Sequence, residues 1–230
     1  FQNATLFDKS LSAWNTGSVT NMSYMFNGIT SFDQDLTSWD TGSVRNMSYM
    51  FNGATSFDQD LSGWDTGSVR NMSHMFNGAT AFDQDLSDWV TSKVTDMSHM
   101  FNGALAFNHD ISKWAVLAVT DMSYMFNKAS SFDQPLQTWG TSNVTNISFM
   151  FAEATSFSQN VSGWDISKVT LANADSVFGT PDDSTTWPDF SIEVWCAYEQ
   201  AWTPHLGGWQ YTSYCPQPEP EPIPEPEPEP

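Results

Sequence analysis

The chain has 230 residues, of which 40% are hydrophobic and 15% charged, and its 27 acidic residues outnumber 7 basic ones to give a net charge of −20. A chain of this length can bury a sizeable core, whereas so acidic a surface excludes nucleic acid and anionic membranes as electrostatic partners. No apolar run approaches the roughly 18 residues that a membrane-spanning helix needs. The acidity itself indicates a cationic partner, a metal ion, or simply solubility.

A 25-residue repeat runs through the chain from its N-terminus without insertion or deletion, and we call each set of residues spaced 25 apart a column. The first apolar column is Phe7, Phe32, Phe57, Phe82, Phe107, Phe132 and Phe157. Leu, Ile or Val follows four residues later and Trp seven residues later, and a Val column, a Met column and Met-Phe pairs complete the unit. One unit alone cannot bury so many apolar side chains. The pattern therefore predicts seven units stacked around a continuous core.

The first half of each unit predicts a short strand. Its Phe, Leu and Trp also fit a helix by spacing, but two helices with their turns need about 34 residues, more than one unit holds. We therefore expect a strand around Phe32–Leu36, pairing in parallel with its neighbours.

The second half of each unit predicts a helix of about two turns over Met22–Asn27. Its apolar residues share one helical face, and they are Val19, Met22, Met25, Phe26 and Ile29. Asn21 is placed to cap this helix, and Asn27-Gly28 supplies a left-handed residue to end it. The fold class predicted for residues 1–172 is accordingly an α/β repeat solenoid of leucine-rich-repeat type, with parallel short strands and short helices.

These residues also carry a resemblance to a known family. The pattern F-x-Q-x-L-x-x-W-x-x-x-x-V-x-N-M-S-x-M-F stands here at residues 57–76 and recurs seven times over residues 1–170. It resembles the BspA-like bacterial surface-protein repeat of about 25–26 residues. The resemblance implies a leucine-rich-repeat-like fold, a secreted or surface-anchored protein with an adhesive role, and no catalytic residues.

The two ends differ from the repeats. Phe1 is in phase with Phe26, so the first unit is entered midway, and its bare face predicts either preceding repeats or another chain in head-to-tail contact. Residues 173–215 are expected to cap the last unit through their tryptophans, with Cys196 and Cys215 forming a disulfide or remaining as two buried thiols. Residues 216–230 alternate Pro with Glu, which predicts an extended polyproline II spacer.

An acidic ladder is the best candidate for a binding site. Matching positions carry Asp33, Asp35, Asp58, Asp60, Asp83, Asp85, Asp110 and Asp133. Stacked units bring such carboxylates within about 5 Å of one another, and their repulsion is relieved either by Ca²⁺ or by a solvated face with interleaved glutamines. No other cofactor is indicated.

Two further sets of residues remain as weaker candidates. Asn3, Asn143 and Asn160 lie in glycosylation sequons that are free of a predicted capping role. His74 and His99 share a column with Tyr24, Tyr49, Tyr124 and Phe149, which indicates an aromatic surface position, with a stacked metal-binding pair as the alternative.

No nucleophile, phosphate-binding or zinc motif is present, so the sequence does not predict an enzyme. We expect a structural or adhesive repeat module of a cell-surface or fibre-forming extracellular glycoprotein, which self-assembles or binds matrix proteins. The alternative is a surface module that binds calcium or glycans.

Overall fold

The computed structural model describes residues 1, 4, 6–170 and 177–178, and they form a stack of 25-residue coils. Within these residues there is no α-helix and no extended strand. The regular pairing between coils consists of isolated parallel bridges that join, in succession, Asn21, Asn46, Asn71, Asp96, Asp121 and Asn146. The predicted α/β, leucine-rich-repeat-like solenoid is therefore wrong. The parallel pairing lies in the half that was predicted to be helical, and none of the bridges falls at Phe32–Leu36.

Each coil is built from consecutive tight turns. An amide of the turn donates to the carbonyl three residues earlier, as Trp39 does to Leu36 at 3.1 Å and Val44 to Thr41 at 2.9 Å. The other amides of this coil that bond back by three residues are those of Met50, Asn52, Ala54 and Phe57. This i to i+3 pattern is that of β-turns. It bends the chain repeatedly and returns it to the same column after 25 residues.

The segment predicted to be helical fails to form a helix because every second amide points to the next coil. Met47, Tyr49, Phe51 and Gly53 donate to carbonyls of the following coil at 2.7–3.0 Å. In addition, Tyr49 has a φ of 58°, whereas a right-handed helix requires negative φ at each residue. The apolar spacing misled the prediction, since this turn sequence buries residues at nearly the same intervals as a helix does.

The side chains predicted to cap helices close turns instead. The Oδ1 atom of Asn46 accepts the amide of Ser48 at 2.9 Å, and Asn21 does the same with Ser23. Asn and Asp favour such bonds to the backbone two residues onward. The chemistry read from the sequence was right, and the element that it serves is a turn.

The apolar columns form the core, as predicted. Phe51 is fully buried, and its ring stacks at 5.6 Å on Phe76 in the next coil and at 4.0 Å on Phe57 within its own coil. The Trp39 and Trp64 rings lie 6.3 Å apart, and the indole of Trp64 donates to the carbonyl of Leu36 in the preceding coil at 3.2 Å. Neighbouring coils therefore share both apolar surface and buried hydrogen bonds.

The Gly28 column is left-handed, as the Asn-Gly dipeptides predicted. Gly78 has a φ of 69°, and a Cβ atom added to it would meet its nearest neighbour at an ordinary 3.7 Å. We expect Gly78→Ala to lower the free energy of unfolding by about 1 kcal/mol, because a left-handed alanine is strained. Urea denaturation measures this change.

Gly63→Ala is the matched control, because Gly63 has open space at the Cβ position and no positive φ. It should raise stability by about 0.4–1 kcal/mol through the entropy of the unfolded chain. Equal effects of the two substitutions would contradict the backbone explanation.

Candidate functional surface

The first acidic column, which consists of Asp33, Asp58, Asp83 and Asp133, links successive coils. The Oδ1 atom of Asp33 accepts the amide of Asp58 at 3.0 Å and the side-chain amide of Gln59 at 2.8 Å. Asp58 accepts the amide of Asp83 and the side chain of Gln84 in the same way. Later in the column Asp83 and Asp133 accept the amides of Asn108 and Ser158. Amide donors thus offset the repulsion between stacked carboxylates, and the interleaved glutamines, which belong to one of the two predicted alternatives, supply some of these donors.

The second acidic column closes turns within each coil. Each carboxylate accepts an amide two residues onward at 2.8 Å, and the members are Asp35, Asp60, Asp85 and Asp110. These hydrogen bonds from Thr37, Ser87 and Ser112 hold the pKa of Asp35, Asp85 and Asp110 below the ordinary aspartate value. Charged carboxylates are therefore the forms that stabilise these turns.

Neither column converges on an ion. Among the described residues there is no group of three or more His, Cys, Asp or Glu side chains that could hold a metal. The predicted calcium ligands are instead spread along the stack, each with amide donors. Calcium binding remains a prediction that this geometry does not favour.

The first acidic column offers an internal test of its structural role. We expect Asp58→Ala to lower the free energy of unfolding by about 1–2 kcal/mol, because it removes the acceptor of two inter-coil bonds. Asp58→Asn should stay close to the parent protein. Asn108 already occupies this column, and its Oδ1 atom accepts the amide of Asp133 at 2.9 Å.

Thermal melts with and without Ca²⁺ check this prediction. If Ca²⁺ stabilised the parent protein but neither variant, the column would be an ion site. Its interpretation as a set of hydrogen-bond acceptors that link the coils would then be wrong.

A column of half-buried rings follows the surface of the stack. Successive centroids are 4.1–4.8 Å apart and nearly parallel, and the members are Tyr24, Tyr49, His74, His99, Tyr124 and Phe149. All six residues have positive φ, between 54° and 59°. Non-glycine residues adopt this conformation at a cost. The sequence showed the aromatic column, but nothing in it revealed the left-handed backbone.

The two histidines of this column are held neutral. Burial lowers the pKa of His74 to about 4, with a further contribution from His99, against the opposing charge of Asp96. Burial also lowers the pKa of His99, against Asp121 and Asp96. The Nδ1 atom of each ring is buried and has no hydrogen-bond partner.

The ring column does not present flat faces to a ligand. Each inner ring is covered on both sides by its neighbours, so the surface shows ring edges and polar tips. Sugars stack on the exposed faces of aromatic rings. The described part of the column therefore gives glycan binding no platform except at its first ring, Tyr24, which is 40% exposed.

The other predicted sites either hydrogen-bond within the stack or lie outside the described residues. Asn143 donates to the carbonyl of Leu117 and accepts from Lys168, and Asn160 closes a turn with Ser162. Glycosylation at these two positions remains a prediction. The structure does not describe Asn3, the Cys196–Cys215 pair or the predicted spacer 216–230, and of the predicted cap 173–215 it describes only Val177 and Phe178. Val177 accepts the amide of Phe151 at 2.7 Å, and the Phe178 ring lies 5.8 Å from that of Phe151.

The N-terminal face of the first coil differs from the coil faces inside the stack. Trp14 is 47% exposed, whereas Trp39 in the same column is 4% exposed. Phe1 is 42% exposed and Phe26 is fully buried. This face presents the apolar columns that every inner coil covers.

No helix long and apolar enough to span a membrane occurs in the described part of the chain.

The comparisons with known proteins assign the repeats to a family. A family model described as "Mycoplasma protein of unknown function, DUF285" matches residues 1–89 and again residues 80–186. Comparison with curated proteins gives no match, and comparison with solved structures gives none either. Two matches in tandem cover most of the chain, in agreement with its stacked coils. The chain therefore belongs to the DUF285 family of repeat-containing proteins.

Proposed function

We propose that this chain is a non-enzymatic structural or adhesive module of an extracellular, cell-surface or fibre-forming protein, of the BspA-like kind. The observation that carries the proposal is how the polar side chains are used. Asp, Asn, Gln, Thr and Trp side chains hydrogen-bond from coil to coil along the stack instead of converging on one another. Thr41 donates to the carbonyl of Asp65 at 2.9 Å, for example, and Asn52 donates to Asn27 at 2.5 Å.

Such a molecule suits transmission of force or presentation of a surface better than chemistry. Each coil hydrogen-bonds to its neighbours along the stack, and extended repeat surfaces are used to bind partners. The net charge of −20 keeps rods apart laterally and soluble. Contact at the ends of the stack then becomes the favoured mode of association.

The end contact that we propose is head-to-tail. The N-terminal face, represented by Trp14, carries the apolar columns. It also carries the backbone edge through which inner coils pair with their neighbours. The surface that best complements it is the opposite face of another coil of this kind, which preceding repeats or another chain would supply. Between chains, a heterologous contact of this type extends into a filament unless it closes, and it requires the residues that follow the last coil, among them Val177 and Phe178 on Phe151, to leave that face.

Sedimentation velocity on the native chain, in Ca²⁺ and in EGTA, tests this proposal. We expect concentration-dependent oligomers in both solutions, and filaments in the same fractions by electron microscopy. Trp14→Arg places a charge on the N-terminal face and should shift the protein to monomer.

Leu117→Arg is the matched control, because Leu117 is 58% exposed but lies on the side of the stack. It should leave association unchanged. A monomer in all three proteins would overturn self-assembly, and oligomers that dissolve only in EGTA would favour calcium-linked assembly instead.

The proposed location has a separate test. Antibodies raised against the repeat region should label intact, unpermeabilised cells of the organism that makes the protein. Labelling that requires permeabilisation would contradict a surface location.

A further inference from the structure

Four Asn-Gly dipeptides lie in the same two columns of successive coils, and they are Asn27-Gly28, Asn52-Gly53, Asn77-Gly78 and Asn102-Gly103. An Asn-Gly dipeptide is chemically unstable in an unfolded chain. The glycine backbone nitrogen attacks Cγ of the asparagine, because glycine has no side chain to obstruct the approach. A bond forms between this nitrogen and Cγ, the bond from Cγ to Nδ2 breaks, and ammonia leaves with the amide proton. Water then opens the cyclic imide at either carbonyl, which gives aspartate or isoaspartate.

The stack holds the attacking nitrogen of each dipeptide in a hydrogen bond. All four glycine amides donate to the carbonyl of the asparagine in the following coil at 2.7 Å, as Gly53 does to Asn77. The four glycines are also left-handed, with φ between 69° and 72°. A nitrogen whose proton is held by so short a hydrogen bond is not free to turn toward the neighbouring side chain. The reaction therefore requires that the bond to the following coil opens first.

The asparagine side chains are held by the same stack. The side-chain amide of Asn52 donates to Oδ1 of Asn27 at 2.5 Å, and that of Asn77 donates to Oδ1 of Asn52 at 2.6 Å. In Asn52 and Asn77 the leaving nitrogen thus bonds to the preceding coil, while the adjoining glycine amide bonds to the following coil. The inter-coil bonds described for Asn27-Gly28 all go to the second coil.

Opening should be easiest at the first coil. A terminal unit of a stacked repeat contacts one neighbour where an inner unit contacts two, so it opens at the smallest cost in free energy. Its packing agrees with this, because Trp14 is 47% exposed whereas Trp39 is 4% exposed. Separation of the first coil from the second breaks the bond from Gly28 to Asn52 and leaves the other three glycine bonds in place. Asn27-Gly28 is therefore the dipeptide whose nitrogen is released most often.

We propose that the four Asn-Gly dipeptides are modification sites that are latent in the folded stack. Asparagine converts to aspartate and isoaspartate there only in coils that have opened, beginning with Asn27. The reaction consumes water and needs no enzyme or cofactor. Because it does not reverse, it leaves a permanent chemical record of which coils have opened. The inference is independent of the proposed self-assembly.

The consequence of the modification depends on the position in the stack. Asn27 accepts the amide of Asn52, and an aspartate at position 27 can still do so. Asn52 both accepts from Asn77 and donates to Asn27. An aspartate at position 52 therefore places a carboxylate oxygen against Oδ1 of Asn27, where neither atom can donate, and such an unpaired contact is costly. The coil then closes poorly after it has been modified.

The matched variants Asn27→Asp and Asn52→Asp test this consequence by thermal melting. Asn27→Asp should melt close to the parent protein, and Asn52→Asp should melt at a clearly lower temperature. Equal melting temperatures of the two variants would show that the side-chain bonds between coils do not decide the effect of the modification.

The main experiment measures conversion at each dipeptide in the full chain. The protein is incubated in mildly alkaline buffer below its melting transition, at a concentration at which sedimentation shows a monomer, and in parallel in guanidinium chloride. Peptide mapping by mass spectrometry quantifies aspartate and isoaspartate at each site. Because phenylalanine precedes all four asparagines, the unfolded chain should convert them at similar rates.

In the folded chain we expect conversion at Asn52, Asn77 and Asn102 to be at least about tenfold slower than in the unfolded chain. Asn27 should convert at an intermediate rate. The unfolded sample supplies the intrinsic rate at every site, so differences in local sequence cannot imitate the result. Equal rates in the folded and unfolded chains would overturn the proposal, and so would a rate at Asn27 no higher than that at Asn102.

Discussion

Replacing Phe76 with alanine should lower the free energy of unfolding by about 3–5 kcal/mol, the largest effect that we expect from any single substitution in the stack. Phe76 is fully buried. Its ring lies 5.6 Å from Phe51 and 5.6 Å from Phe101, in the coils on either side, and 4.0 Å from Phe82 in its own coil. The cavity left by the ring therefore opens onto three coils at once.

The loss should be poorly compensated by relaxation. The coils are held in register by bridges and amide bonds on both sides of Phe76, including its own amide, which donates to the carbonyl of Met100 at 2.9 Å. A backbone fixed in this way cannot close around the gap, and cavity cost rises with the volume that remains. Flexible methionines nearby can fill only part of it.

Urea denaturation, followed by tryptophan fluorescence, measures this effect. Leu117→Ala is the control, because Leu117 is 58% exposed and truncating it should change stability by no more than about 0.5 kcal/mol. Since neighbouring units stabilise one another in a stacked repeat, the Phe76 variant should also unfold less cooperatively. A loss below 1 kcal/mol would mean that the ring column does not carry the core.

The same dependence on neighbours explains what the sequence could predict. Columns of Phe, Trp and Met with an unbroken period were sufficient to predict a stacked core, since no unit buries such residues alone. Asn27-Gly28 was sufficient to predict a left-handed glycine. These signals depend on composition at fixed positions, and the structure confirms both.

The backbone between those positions could not be predicted from spacing. A helix and a series of turns both bury residues at intervals of three and four, so Met22–Asn27 fitted either. The deciding feature is the left-handed conformation of Tyr24. Tyrosine carries no signal for it, and it is stabilised by amide bonds to the next coil, which a sequence shows only once the register between coils is known.

The acidic columns illustrate the same limit in electrostatics. A row of aspartates at matching positions predicts repulsion, and repulsion predicts a counter-ion. The alternative that the sequence left open was interleaved glutamines, and Gln59 and Gln84 do donate their side-chain amides to the preceding carboxylate. Because the aspartates also accept backbone amides of the next coil, they link successive coils.

Acidification should destabilise the protein in two separate pH windows, and the upper one should belong to the histidine pair. The pKa of His74 is lowered by burial to about 4, from an ordinary value of 6.5, and that of His99 is lowered in the same direction. The folded state therefore holds these rings neutral where the unfolded chain takes up protons. Their contribution is complete above pH 6.5 and is lost as the pH falls, in the case of His74 toward 4.

The lower window belongs to the aspartates that close turns. Hydrogen bonds lower the pKa of Asp35, Asp85 and Asp110 from 3.8. Charged carboxylates are the stabilising form, so their contribution is present above that value and is lost as the pH falls below it. These residues lie outside the ring column, so the two windows can be separated by substitution.

Thermal melts between pH 7 and pH 3 measure both windows. The parent protein should lose melting temperature between pH 6.5 and 4 and again below it. The His74→Tyr/His99→Tyr variant should stay nearly level through the upper window and fall only in the lower one, because tyrosine does not titrate there. An identical decline in both proteins from pH 6.5 would show that the rings are free to take up protons in the stack. It would also remove the evidence that packing between coils holds them neutral.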